Sequence, residues 1–175
     1  ASASSVDPLG NVCDMPRKRA GRTLRHHLIT GGAGFVGPNL AQALLARGHR
    51  VASVDNYCRG SIANLAAVFG HPAFQAHTLD CADHDALIAL ADGLHAQSPI
   101  DEIWHLAANS DIPAGVADPA IDLRDTFMTS FNILRVARSL GVGVLHFASS
   151  SAIYGNLGEA EIAENSGPLE PISNY

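Results

Sequence analysis

The stretch Thr30-Gly31-Gly32-Ala33-Gly34-Phe35-Val36-Gly37 decides how this chain of 175 residues is read. It follows a short apolar run, His27-Leu28-Ile29-Thr30, and leads into Leu40, Ala43, Leu44 and Ala46, which recur at helical spacing before Gly48. A strand that passes through glycines into a helix is the setting in which glycine turns hold phosphates. Glycine accepts positive φ, lets backbone approach an anion, and lets helix and strand pack closely. The free amides of the first helical turn then face the anion. The spacing fits G-x-G-x-x-G from Gly32 and G-x-x-G-x-x-G from Gly31 equally well. No Gly-Lys-Ser/Thr follows, which excludes the P-loop. Pro38 falls in the first helical turn, where its missing N–H costs little.

Outward from this turn, strand-like and helix-like segments alternate. Arg50 to Asp55, Ala73 to Leu79, Glu102 to Ala107 and Val142 to Ala148 read as further strands. Asp83 to His95 reads as a helix with Leu87, Leu90, Ala91 and Leu94 on one face. Asp122 to Leu140 contains a long one, with Ile133, Leu134, Val136, Ala137 and Leu140 available for burial. Such alternation predicts βαβ units and a parallel sheet covered on both faces: an α/β, Rossmann-type doubly wound fold, incomplete at its C-terminus. Asp55 ends the second strand 18 residues after Gly37. A carboxylate there accepts hydrogen bonds from the adenosine ribose hydroxyls and repels a 2′-phosphate, which favours NAD over NADP. Arg59, four residues on, pulls toward the phosphate-bearing form.

Composition narrows the classes. Hydrophobic residues make up 47% and charged ones 16%, which argues for a packed core and against disorder. No run approaches the roughly 18 apolar residues of a membrane span. Five of the eleven basic residues lie between Arg17 and Arg25; from Leu28 onward six arginines face fifteen carboxylates. A body that acidic is a poor partner for nucleic acid or anionic membrane. The basic stretch reads as a solvated tail, with a nucleic-acid arm or import signal as rivals. Residues 1–27 lack apolar periodicity and predict a flexible extension, with one domain over residues 28–175; Met15 is a rival start. Three cysteines, Cys13, Cys58 and Cys81, show no C-x-x-C spacing, which suits a reducing, cytoplasmic setting. Nine histidines are scattered, His26 and His27 adjacent rather than at i, i+4, so no metal site is expected.

Taken together, Thr30 to Gly37 and Val54-Asp55-Asn56-Tyr57-Cys58-Arg59-Gly60-Ser61 resemble the extended short-chain dehydrogenase/reductase superfamily, most of all its NAD-dependent nucleotide-sugar epimerases and dehydratases. The likeness continues through Leu79-Asp80-Cys81, His105-Leu106-Ala107-Ala108 and Ser149-Ser150-Ser151-Ala152-Ile153-Tyr154-Gly155. It implies that NAD is held by Gly31, Gly34, Phe35, Val36, Gly37, Asp55 and Asn56, by Asp80 and Cys81 near the adenine, and by Leu106, Ala107, Ala108 and Ser149 toward the nicotinamide. It implies a catalytic hydroxyl at Ser150, with Ser151 as fallback, and a catalytic tyrosine at Tyr175, with Tyr154 as rival. A phenolate takes the sugar hydroxyl proton, and the Ser hydroxyl orients the reacting oxygen.

Departures from the pattern accompany the likeness. The family lysine four residues beyond the tyrosine has no counterpart, Lys18 being the only lysine. The sugar-binding C-terminal region has no counterpart either, so a chain of this length is expected to be inactive. Thr126 stands where the family usually has Asn, and Asn109-Ser110-Asp111 matches no subfamily. Dehydratases and decarboxylases of the group carry an acid just after the active-site hydroxyl, whereas here Ser151 and Ala152 follow Ser150. The resemblance therefore favours 4-epimerisation of a UDP-sugar through a 4-keto intermediate, in a homodimer. A dehydratase or reductase, and a non-catalytic NAD-binding module, remain as alternatives.

Overall fold

A computed structural model describes residues 24–159, 161–171 and 173. Tyr175, Cys13 and residues 1–23 of the expected extension lie outside the described residues. Strands β1 (His26–Thr30), β2 (Arg50–Asp55), β3 (Phe74–Thr78), β4 (Glu102–His105) and β5 (Leu145–Phe147) form one sheet in the order β3-β2-β1-β4-β5. All four pairings are parallel; Leu28 of β1, for example, lies between Ala52 of β2 and Ile103 of β4. Helices α1 (Val36–Ala46), α2 (His84–Gln97), α3 (Ile112–Ala117), α4 (Pro119–Asp122) and α5 (Thr129–Leu140) connect or follow the strands. The expected Rossmann-type sheet is present.

Alternation along the strands sends side chains to two cores. Leu28, Ala52, Val54 and Ile103 face α2 and α5, where Leu87, Ala91, Leu94, Ile133 and Val136 meet them. Ile29 and Val51 face the other way, against Ala41, Leu44 and Leu45 of α1. The α1 face differs from the expected one: Ala43 and Ala46 are exposed, because the helix begins at Val36 and buries Gly37, Ala41, Leu44 and Leu45. Its end is as expected. Gly48 has φ +81 and its N–H reaches the Leu45 carbonyl at 2.8 Å, closing the helix in the left-handed conformation that glycine tolerates.

Several boundaries move: β4 ends at His105 rather than Ala107, and β5 is confined to Leu145–Phe147 rather than running from Val142 to Ala148. β1 starts at His26, two residues ahead of the expected domain boundary, because the His26 N–H donates to Asp101 at 2.8 Å and its ring contacts the Ser98 carbonyl at 2.8 Å. Arg25 pairs with Glu102, so the last cation of the basic stretch belongs to the sheet. The expected helix over 122–140 is three segments: α4 after the Asp118 cap, a π-helical turn over Leu123–Met128, and α5. Leu134 follows the wide turn and sits about 100° around α5 from the core-facing Ile133. Leu134 is exposed, in a stripe with Leu123, Phe127 and Phe131, whereas Ile133, Val136 and Ala137 are buried.

Three histidines, His26, His27 and His105, are buried in the central strands β1 and β4. His105 stands between the Thr30 hydroxyl at 2.7 Å and the Ser130 hydroxyl at 3.0 Å. Ser130 donates onward to the Thr126 carbonyl at 2.8 Å, which assigns Nε2 of His105 as its donor and Nδ1 as acceptor from Thr30. His27 accepts from the Trp104 indole at 3.2 Å. Burial lowers the pKa values of His27 and His105 from 6.5 to about 4 and dominates in each; for His27 the nearby His49 and Arg25 add to it. Their folded values lie below the unfolded one, so between these limits the unfolded chain binds more protons and stability falls as pH falls. Each of these two adds a slope approaching about 1.4 kcal/mol per pH unit in that window. The urea midpoint is expected to drop between pH 7 and pH 5, and His105→Gln to show a shallower drop. An equal drop in that variant removes His105 from the account.

Candidate functional site

The C-terminal ends of β1, β2 and β4 open onto a cleft of about 770 Å³. Its floor is the glycine turn. The amides of Gly31 and Gly32 both donate to the Val54 carbonyl, at 2.8 and 3.2 Å, which ties the turn to β2. Gly31 has φ +68, and a Cβ there would fall 2.7 Å from the Ala107 nitrogen; one on Gly37 would fall 2.4 Å from the Gly32 oxygen. Three backbone segments therefore meet without side chains between them. Helix α1 starts at this junction with no side-chain cap on its amides and no acid in its first turn. Phe35, at the cap position, is 91% exposed. Uncapped amides beneath an open cleft suit a diphosphate.

Asp55 forms one wall. Its buried carboxylate accepts the Ala33 N–H at 2.8 Å through Oδ2 and the Tyr57 N–H at 2.8 Å through Oδ1. Each oxygen keeps a further lone pair, so the group is fixed and still able to accept from a diol. The loop that follows lies on the glycine turn: Ser61 N–H and the Asn64 amide both donate to the Ala33 carbonyl, at 3.1 and 2.8 Å.

Farther along, Asp80 accepts the Ala82 N–H at 2.9 Å and pairs with Arg124. Burial, helped by Asp80 and Asp55, pushes the Cys81 thiol up to about 12, so it lines the cleft as an uncharged group. Asn132 holds this corner from beneath, donating to the carbonyls of Cys81 and Ala82 at 3.0 and 2.9 Å. On the opposite wall, the Leu106 N–H continues the sheet onto the Thr30 carbonyl at 3.0 Å, and Leu106, Ala107 and Ala108 present small or apolar surface. The π-helical turn brings Asp125 and Thr129 to the same wall.

Of the residues expected around the cofactor, Gly31, Gly34, Phe35, Val36, Gly37, Asp55 and Asn56 all line this cleft. So do Asp80, Cys81, Leu106, Ala107 and Ala108. Ser149 and Ser150 do not; their neighbour Ala148 does. Ser150 accepts the Ala152 N–H at 3.1 Å and caps a 3₁₀ turn over Ser151–Tyr154. Thr126, in the family's Asn position, accepts the Asn109 N–H at 3.1 Å and is not a lining residue. Asp125, Thr129, Ala114 and Ile121 also line the cleft; the helical spacing over Asp122 to Leu140 is a signal for the first two, and none marks Ala114 or Ile121. Among the described residues no group of three or more His, Cys, Asp and Glu is arranged to hold a metal ion, and no helix is long and apolar enough to cross a membrane.

The profile of the NAD dependent epimerase/dehydratase family matches residues 27–175. A UDP-glucose 4-epimerase of Mycolicibacterium smegmatis is 32% identical over 149 residues, covering 85% of this chain and 46% of the relative. A UDP-glucuronic acid decarboxylase 1 of Danio rerio is 34% identical over 129 residues, covering 74% of this chain and 28% of the relative. Among solved structures, the Thermus thermophilus UDP-glucose 4-epimerase in complex with NAD superposes with a TM-score of 0.72 at 32% identity, over 86% of this chain and 46% of that one. The chain thus spans less than half the length of the relatives it matches.

The glycine junction makes a paired expectation. Gly37→Ala drives a methyl into a backbone carbonyl and should lower the unfolding free energy by about 1–3 kcal/mol. Gly93→Ala, inside α2 with nothing within 4 Å of its Cβ, should raise it by roughly 0.5–1 kcal/mol. Urea unfolding of both variants checks the contrast, which fails if Gly37→Ala is as stable as the parent.

Proposed function

The chain belongs to the NAD-dependent epimerase/dehydratase family, and from that premise we propose that it is the NAD-binding part of a nucleotide-sugar 4-epimerase. The observation that carries the reading is the uncapped α1 N-terminus on the glycine turn with Asp55 fixed beside it. In this proposal the amides of Phe35, Val36 and Gly37 hold the diphosphate, and Asp55 accepts from the adenosine ribose hydroxyls. Asn56, Asp80 and Cys81 surround the adenine end, and Leu106, Ala107, Ala108 and Ser149 the nicotinamide end. The buried, uncharged Cys81 and the apolar Leu106, Ala107 and Ala108 after β4 keep water out without competing for protons.

Bound NAD would supply reversible hydride acceptance at the sugar carbon. The chain's own groups then manage the proton and the orientation. Tyr175 is proposed to take the proton of the reacting hydroxyl, and Ser150 to hydrogen-bond that oxygen. Ser150 caps a turn two residues after the cleft residue Ala148. Ser151 and Ala152 bring no carboxyl group for an elimination, which favours epimerisation over dehydration or decarboxylation. We place the protein in the cytoplasm, and its partner in a second copy that covers the exposed stripe of Leu123, Phe127, Phe131 and Leu134.

Calorimetry is expected to give tighter binding of NAD than NADP, and Asp55→Ala to weaken NAD by roughly 1–3 kcal/mol, the scale of a lost hydrogen bond to a charged group. Equal affinities for the two cofactors would remove Asp55 as the discriminator.

The reaction is tested on the whole protein with UDP-glucose, UDP-N-acetylglucosamine and UDP-glucuronic acid, following the sugar by NMR. The expected product is the C4 epimer, with Ser150→Ala slower than Ser151→Ala. A 4-keto-6-deoxy sugar, loss of a carboxyl group from UDP-glucuronic acid, or net consumption of reduced cofactor would assign a different reaction. Cofactor binding with no turnover would favour a binding module.

A further inference from the structure

Arg59 is the only cation among the described residues that line the cleft, and it stands four residues beyond Asp55, on the loop that follows β2. A guanidinium in this region is what a ribose 2′-phosphate pairs with. Here it points elsewhere. Its Nη2 donates to Asp111 Oδ2 at 2.7 Å, and Asp111 belongs to the opposite side of the cleft, on the loop between β4 and α3.

Asp111 is not a loose surface acid. Its Oδ1 accepts the Ala114 N–H at 3.1 Å as the cap of α3, its own N–H donates to Asn109 Oδ1 at 2.9 Å, and its carbonyl accepts from Asn109 Nδ2 at 2.9 Å. Asn109 is held in turn. Its Nδ2 donates to Asp122 Oδ1 at 2.8 Å and its N–H to the Thr126 hydroxyl at 3.1 Å. Asp122 is 4% exposed, and its other oxygen is buried without a hydrogen-bond partner. It is seated against Gly115, where a Cβ would fall 2.0 Å from that oxygen, so only glycine leaves room for the anchor. A continuous chain of contacts thus runs from Asp122 in α4 through Asn109 and Asp111 to Arg59. The Ala114 N–H and Arg59 also hold the Asp111 carboxyl below the usual carboxylate range, so it is ionised at neutral pH.

We propose that Asp111 is a cofactor-selectivity residue: anchored through Asn109 and Asp122, it sequesters Arg59 and so denies NADP the cation that its 2′-phosphate would need. Two carboxylates then act in different ways. Asp55 repels the extra phosphate directly, and Asp111 withdraws the compensating charge. An exposed ion pair between two mobile side chains is weak, but a partner already fixed at three other points loses little freedom in forming it.

The inference rests on the cleft being a dinucleotide site. Its test is the ratio of NADP to NAD affinity, measured by calorimetry at low salt on the protein, Asp111→Asn, Arg59→Ala and the double variant. Asn at 111 is isosteric and keeps an oxygen for the Ala114 N–H, and circular dichroism checks that the fold is retained. Asp111→Asn should raise the ratio by about tenfold, the worth of a charge-assisted hydrogen bond to phosphate. The gain should vanish in the double variant and shrink as salt rises. Arg59→Ala alone should leave the ratio within about threefold of the parent, because the side chain is already committed. A tenfold fall in NADP affinity on Arg59→Ala alone would show that Arg59 reads the phosphate despite Asp111, and would overturn the proposal. So would an equal gain for both cofactors in Asp111→Asn, which would assign the released arginine to the shared diphosphate. NAD binding with an unmoved ratio defeats the inference and leaves the cofactor reading standing; binding of neither cofactor defeats both.

Discussion

The organisation of this chain depends on a place where three backbones touch. The turn after β1 is bonded to β2 through the Val54 carbonyl, lies against the exit of β4 at Ala107, and receives α1 at Gly37. Close approach of this kind requires the absence of side chains, and hydrogen bonds between amides and carbonyls are what hold it. The rest of the cleft is arranged from that contact. The position of α1 leaves its first-turn amides facing open space, and the tip of β2 brings Asp55 against the Ala33 N–H. The loop from Asn56 to Asn64 folds back over the turn because Ala33 offers its carbonyl to two donors.

The two cores have unequal tasks. The α2/α5 side contains long aliphatic side chains and the buried Asn132, which reaches out of the core to hold the loop at Cys81. The α1 side is lighter, and the close α1 contact relies on small residues such as Gly37 and Ala41. Mechanical support for the Cys81 corner of the cleft therefore comes from α5, through the Asn132 contacts with the loop after β3. A polar side chain in an apolar core is costly unless satisfied, and the two carbonyl contacts of Asn132 Nδ2 supply much of that compensation.

Much of the architecture was legible in the sequence because its determinants are local. The glycine turn, the β2 strand ending at Asp55 and the Asp83 cap of α2 each lie within a few residues of the structure they specify. Twelve of the residues expected around the cofactor line one cleft for the same reason: each lies at or just beyond the C-terminal end of a strand, in the loop or helix start that follows, and such ends of a parallel sheet converge. What escaped is non-local or a matter of phase. Nothing near Asn132 in sequence indicates that it caps a loop fifty residues earlier. Asp122 looks like an ordinary first-turn carboxylate, yet it is buried against Gly115 and bonded to Asn109. Asp125 and Thr129 escape a reading at a uniform 3.6-residue period because the π-helical turn breaks that period before α5 begins.

That wide turn has a bearing on how the molecule divides its labour. Accommodating one additional residue in a turn rotates everything before it by about 100° relative to everything after it. Downstream, Ile133, Val136 and Ala137 keep a register dictated by the sheet; Ile121 upstream and Asp125 within the turn answer to the cleft. A single unbroken helix would couple these two registers rigidly, so that any change of side chains toward the ligand would have to respect the packing of the core. The extra residue decouples them. The wall of the pocket built from Ile121 to Thr129 is thereby a surface whose chemistry can be rewritten without re-indexing the helix that holds the sheet together.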